Sequence, residues 1–189
     1  AKHQKALEKY EIRISSDKTI NNLHKLTSDQ KNVLEFIKSK DSGEILLSGI
    51  TSSGKTEVYK HFIKELLIKG KSALVLVPEI FLTPQIFNDF QNTFGNKVLL
   101  NHSGLTPIQR IKVWLASQDK NPKIIIGTRS SIFLPISNLG GIIFDEEHDQ
   151  SYKQQTGLMY SARDLAVVKS KEHACSLVLG SATPSFESL

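Results

Sequence analysis

The sequence predicts a doubly wound α/β domain, a parallel sheet with helices on both faces, and three observations carry that expectation. Apolar runs of strand length recur at 44–48, 73–77, 97–100, 124–126, 142–144 and 177–179. They are near-continuous in apolar character, as in strands buried on both faces. Segments of helical period lie between most of them: Val58, Phe62, Ile63 and Leu66 recur three and four apart, as do Ile108, Ile111 and Leu115. Right-handed crossovers then place successive helices against the sheet. In such a sheet ligands bind beyond the carboxyl ends of the strands, and the unusual residues of this chain fall there.

Residues 1–25 differ from the rest. They are polar and rich in lysine, with Ala6, Leu7 and Tyr10 able to line one side of a short helix. They read as a linker or the remnant of a preceding domain, with a functional arm as the other possibility. The regular alternation starts at Leu26, so the domain is expected over 26–189. A length of 189 residues suits one domain with a tail and can bury a sizeable core. Hydrophobic residues at 39% and charged residues at 23% exclude global disorder and collagen-like repeats. The single cysteine, Cys175, excludes an internal disulfide framework or a multi-cysteine zinc site within the chain. It is expected as a small core residue or at a strand edge. His102 and Trp114 are expected to be packing residues. A net charge of +5 permits a polyanionic partner without demanding one. No apolar run approaches the ~18–20 residues of a membrane span, and no signal peptide opens the chain, so a cytoplasmic setting is expected. Ala1 at the start and Phe186-Glu187-Ser188-Leu189 at the end suggest a segment of something longer.

After the first apolar run comes Gly49-Ile50-Thr51-Ser52-Ser53-Gly54-Lys55-Thr56, followed by a helical pattern. This is the phosphate loop of a P-loop NTPase in its required strand–loop–helix setting. Its glycines let successive backbone N–H groups wrap an anion, and the helix presents its positive end to the same charge. Lys55 suits the β- and γ-phosphates of a nucleotide, and the Thr56 hydroxyl suits Mg²⁺. Ser52 stands where glycine is more usual, which is tolerated at negative φ.

The fifth apolar run ends in Asp145-Glu146-Glu147-His148. Alone this would read equally as a solvated acidic turn. Beside a phosphate loop, Asp145 suits Mg²⁺ and Glu146 suits the positioning or activation of the attacking water. To this point the residues indicate a nucleotide triphosphatase.

Further stretches follow the remaining strands: Pro78-Glu79-Ile80-Phe81-Leu82-Thr83-Pro84-Gln85, His102-Ser103-Gly104-Leu105, Gly127-Thr128-Arg129-Ser130 and Gly180-Ser181-Ala182-Thr183-Pro184. In this order they resemble motifs I to III of the superfamily 2 helicases, whose lobes are RecA-like. Ser151-Tyr152-Lys153-Gln154-Gln155, and Tyr160 with Ala162-Arg163-Asp164-Leu165-Ala166, resemble the bacterial replication-restart helicases in particular. The likeness runs from about Leu26 to the end. It implies a DNA-dependent ATPase that moves 3′ to 5′ on single strands, using ATP and Mg²⁺, with single-stranded and forked DNA, primosome proteins and single-strand-binding proteins as partners.

On that resemblance Gln30 contacts adenine, although it also fits a plain helix start after a Thr27/Ser28 cap. Thr83, Gln85, Thr128 and Arg129 face the DNA backbone; an intradomain ion pair is the other role open to Arg129. Residues 149–163 resemble the family's aromatic-rich loop, which places Tyr152, Lys153, Tyr160 and Arg163 near DNA, with both tyrosines equally able to cap the core. Leu158, Met159 and Ser161 depart from that loop's usual residues. Ser181 and Thr183 couple nucleotide state to the strand. The resemblance also puts a second RecA-like lobe, with an arginine for the γ-phosphate, and a zinc module beyond residue 189. Two other readings fit the same residues: the lobe of a different superfamily 2 translocase, and an ATP-binding docking module.

Overall fold

The computed structural model describes residues 23–50 and 53–184. Most of the proposed linker, the loop residues Thr51 and Ser52, and the terminal Phe186–Leu189 stretch lie outside the described residues. The elements run α1 (Ser28–Ser39), β1 (Gly43–Ser48), α2 (Lys55–Ile68), β2 (Ser72–Leu76), α3 (Pro84–Phe94), β3 (Val98–Asn101), α4 (Pro107–Ser117), β4 (Ile124–Gly127), β5 (Leu139–Phe144), β6 (Lys153–Gln154), β7 (Tyr160–Ser161), α5 (Ala162–Glu172) and β8 (Ser176–Ser181). Their starts have local causes. Thr27 and Gln30 form a reciprocal capping box on α1, as do Thr106 and Gln109 on α4. Thr83 caps α3 ahead of Pro84.

Six strands form one sheet in the order β1-β8-β5-β2-β4-β3, and every pairing in it is parallel. Between β1 and β2 sit two strands, so the chain leaves the first strand and crosses over before returning. The alternation of side chains divides the core. Ala73, Val75, Ile124, Ile126, Ile143 and Val178 face a cluster with α1, α2 and α3. Leu74, Leu76, Ile125, Ile142, Phe144 and Leu177 face a second cluster with α4, α5 and the turns after β4. Helices on both faces are the doubly wound architecture the strand pattern predicts. No helix among the described residues is long and apolar enough to cross a membrane.

The periodic stripe Val58, Phe62, Ile63 and Leu66 is buried as expected. The second stripe is not. Ile108, Ile111 and Leu115 are 68%, 59% and 63% exposed, and Trp114, expected to pack, is 47% exposed. The helix forms, but it touches the edge of the sheet through Val113 and Ser117. A helix beside an edge strand has a narrow buried face, and periodicity does not say which face that is. His102 and Cys175 are buried, in line with their packing roles.

Helices α2 and α3 are tied by Lys60, which is 3% exposed. Its ammonium donates to Asp89 Oδ1 at 2.7 Å and to Glu57 Oε1 at 3.1 Å. It also lies 5.7 Å from the centre of the Phe90 ring. Replacing Lys60 with Met keeps the apolar stem and removes the charge. Because Asp89 remains half exposed, the loss is expected to be about 1–2 kcal/mol rather than the full cost of a broken buried pair. Thermal melting followed by circular dichroism checks this, and an unchanged midpoint would show that water serves the two carboxylates equally well.

Candidate functional site

The carboxyl ends of β1, β5 and β8 lie side by side, and the motif residues converge on them. Gly49 leaves β1 with its N–H bonded to Ser181 O at 3.0 Å, so the phosphate loop starts from the end of β8. Ser53 N–H closes a turn on Ile50 O at 3.0 Å. Gly54 then opens α2 at φ +78°, in the left-handed region that suits glycine. A side chain there would also run into Gln30 Nε2. Gln30 itself donates from that nitrogen to Ser53 O at 3.0 Å, while its Oε1 accepts from Thr27 N–H. The structure thus places Gln30 as a brace between the α1 cap and the phosphate loop.

Lys55 is buried in the first turn of α2 and bends back over the loop, donating to Gly49 O at 2.7 Å. Its ammonium also lies 3.6 Å from Glu146 Oε1. Glu146 has φ +49°, a strained value for a residue with a side chain. That conformation turns the chain sharply after Asp145, with Glu147 N–H bonded to Gly180 O at 2.9 Å. It sends the Glu146 carboxylate toward Lys55, whereas Glu147 is buried.

Asp145 is gripped at several points. Its N–H bonds to Leu76 O at 2.9 Å, its carbonyl accepts from the Tyr152 hydroxyl at 2.7 Å, and its Oδ1 accepts from the Tyr59 hydroxyl at 3.2 Å. Burial, with the neighbouring Glu146 charge, holds its carboxyl above the usual range against the opposing pull of Tyr59 and Lys55. Burial and the same Asp145 charge push the Tyr59 phenol up, so it stays protonated and donates. Thr56, Tyr59 and Asp145 share the lining of one small cavity, backed by Val75, Val77 and Ile126. At the end of β8, Ser181 Oγ shares a 2.7 Å hydrogen bond with His148 Nδ1 and accepts from Thr183 N–H at 3.1 Å. Ser181 is fully buried, whereas Thr183 is exposed.

A second cavity of about 160 Å³ opens where the turns after β2, β3 and β4 meet the β6–β7 ribbon. Glu79, Ser103, Thr128, Arg129, Gln154 and Tyr160 are among its lining residues. Arg129 donates from Nη1 to Ser151 O at 3.0 Å and to Lys153 O at 3.1 Å, so this guanidinium braces the segment after the acidic cluster. Tyr160 is half-buried and meets Phe133 edge-on, with ring centres 4.9 Å apart. Lys153 and Gln85 are exposed, Arg163 is partly buried, and Thr83 is occupied in capping α3. The exposed turn between β6 and β7 carries Leu158 and Met159.

Tyr152 is where the geometry corrects the sequence. It is 2% exposed, stacks edge-on against Phe144, and directs its hydroxyl at Leu76 O and Asp145 O. A ring so placed cannot stack on a base. The aromatic next to an acidic motif looks the same in sequence whether it points out or in, and here an apolar pocket beside two carbonyls drew it inward. Tyr59 is the residue that sequence reasoning missed. The available signal was a polar-tipped aromatic three and four residues beyond Thr56 and Lys55, on their face of the helix.

A family profile described as DEAD/DEAH box helicase matches residues 27–189. The chain belongs to that family. It is 47% identical over 167 residues to the replication restart protein PriA of Bacillus subtilis, spanning 86% of this chain and 21% of that relative. With the Haemophilus influenzae protein of the same name it shares 44% identity over 183 residues, or 95% of this chain and 25% of the relative. The chain therefore spans about a quarter or less of the length of these relatives. Among solved structures, RecG bound to a three-way DNA junction superposes with a TM-score of 0.61 at 25% identity, covering 85% of this chain and 21% of RecG. The DUF1998 helicase MrfA, solved with DNA and AMPPNP, gives 0.61 at 20% identity over 85% of this chain and 24% of MrfA. That last likeness is one of fold.

The acidic motif of this chain thus rests on a tyrosine behind the sheet end. Tyr152→Phe keeps the ring and strips a donor from two carbonyls, and it is expected to cost about 1–2 kcal/mol of stability. Denaturant unfolding measures it. A variant as stable as the parent would show that the hydroxyl is not needed where the structure puts it.

Proposed function

We propose that this chain is the nucleotide-binding lobe of an ATP-dependent 3′-to-5′ DNA helicase that restarts stalled replication forks. The observation that carries it is the approach of Lys55 and Glu146 to 3.6 Å across the phosphate loop, with Asp145 and Thr56 in one cavity beside them. The identity to PriA over most of the chain supports the choice of pathway.

In this reading the loop from Gly49 to Thr56 (Ile50, Thr51, Ser52, Ser53, Gly54 and Lys55 between them) receives the phosphates of ATP, and Gln30, which braces the loop, adjoins the base. Lys55 exchanges the Gly49 carbonyl for β/γ-phosphate oxygens. Glu146 accepts the proton of the attacking water or orients it. The residues present suit Mg²⁺: Thr56 and Asp145 offer hard oxygen donors. When bound, Mg²⁺ supplies charge neutralisation between the β- and γ-phosphates. Ser181, bonded to His148 and the start of the loop, and Thr183 beside it couple the nucleotide state to the DNA strand.

Single-stranded or forked DNA then runs along the cavity lined by Thr128, Arg129 and Tyr160, with Thr83, Gln85, Lys153 and Arg163 around it and the net charge of +5 favouring the contact. Primosome and single-strand-binding proteins in a bacterial cytoplasm complete the reading. A second RecA-like lobe brings the arginine that acts on the γ-phosphate, worth ~10³–10⁵ in rate where such fingers act.

The test is ATP turnover by this chain and by the full-length protein, each with and without forked DNA. The full-length protein is expected to be DNA-stimulated, to lose turnover but keep nucleotide with Glu146→Gln, and to lose nucleotide with Lys55→Ala. The 189-residue chain alone is expected to turn over slowly. A rate of ~1–100 s⁻¹ from it with single-stranded DNA would sink the two-lobed reading. Retained function in Glu146→Gln would instead point to a docking module.

A further inference from the structure

We infer that Tyr59 is a positioning residue for Asp145: its hydroxyl sets the direction of the carboxylate that holds Mg²⁺ in the function proposed above, on which this inference rests. The backbone of Asp145 is already locked, its N–H by Leu76 O and its carbonyl by Tyr152. That leaves the rotation of its side chain. Glu146 N–H reaches the carboxylate from the backbone, and the Tyr59 hydroxyl, donating to Oδ1 at 3.2 Å, is the side-chain donor placed on it among the described residues.

Two features separate this role from simple packing. The cavity that Tyr59 lines is otherwise walled by apolar side chains such as Val75, Val77 and Phe90, against which Phe would sit as well as Tyr. The hydroxyl is also boxed in from behind. Gly180 lies against it, and a methyl group added to Gly180 would collide with the Tyr59 oxygen. The adjoining residue is Ser181, which bonds His148. One hydroxyl, carried by α2, thus meets both the acidic motif and the end of β8. It is carried by the same helix as Lys55 and Thr56, so any shift of the phosphate loop reaches Asp145 through a single rigid element. Outer-shell partners that orient a ligating carboxylate typically change metal affinity about 10–100-fold when removed.

The test uses the chain with Tyr59→Phe and Gly180→Ala, and Lys55→Ala as a control for the phosphate loop. Binding of a fluorescent non-hydrolysable ATP analogue is measured without metal and across a Mg²⁺ titration, with thermal melting on each variant. Tyr59→Phe is expected to raise the Mg²⁺ needed for half-saturation about 10-fold while metal-free affinity stays within about 2-fold. Gly180→Ala, which pushes the hydroxyl off the carboxylate, is expected to shift the Mg²⁺ midpoint the same way. An unchanged midpoint in folded Tyr59→Phe overturns the inference, and so does an equal loss of affinity with and without metal. Should Tyr59→Phe fail to fold, an unchanged midpoint in Gly180→Ala overturns it. Analogue binding that survives Lys55→Ala would instead refute the phosphate-loop reading, and the role of Tyr59 would fall with it.

Discussion

A half-buried carboxylate at the end of a parallel sheet is the constraint on which the rest of this structure depends. Asp145 sits where β5 runs out between β2 and β8, partly screened from water, and its charge there is costly unless donors meet it. A tyrosine on the helix after the phosphate loop meets that charge, and a second, just after the acidic motif, fixes the main chain of the same residue. Both hydroxyls are buried and both bind Asp145, one through the carboxylate and one through the carbonyl. The residue with the strained backbone, Glu146, comes next, and its turn becomes possible because the positions before and after it are pinned. Local strain is thus held by hydrogen bonds that belong to the sheet rather than to the turn.

The same anchoring connects the two cavities. Tyr152 reaches Asp145 from the segment whose carbonyls, at Ser151 and Lys153, are held by Arg129. Arg129 in turn lines the cleft between the turns after β2, β3 and β4 and the β6–β7 ribbon. The path from that cleft to the acidic motif is therefore short and made of side-chain donors set on main-chain carbonyls. Lys60 plays a comparable part behind the sheet end, joining the helix of the phosphate loop to the helix capped by Thr83. Elements tied in this way respond to strain together, since packed interiors transmit it.

Much of this was legible in one dimension. The six strands of the parallel sheet fall where the apolar runs place them, because strands buried on both faces need continuous apolar sequence. The phosphate loop and the acidic motif were legible for a similar reason: their chemistry demands particular residue types at a fixed spacing, and both lie within a few residues of a strand end. What failed was direction. The stripe on α4 has helical period but faces outward, and Tyr152 has the composition of a DNA-stacking loop but lies in the core.

Sequence by itself determined the class of fold, the order of the elements and the two motifs that bracket a nucleotide site, since each rests on local periodicity or local spacing. Tertiary structure alone decided that Lys55 meets Glu146, that Gln30 braces Ser53, that Arg129 holds main chain, and that Tyr59 meets Asp145 under Gly180. Those meetings depend on strand order. β1, β5 and β8 are neighbours in the sheet though not in the chain, and no local pattern records which strand ends will lie side by side.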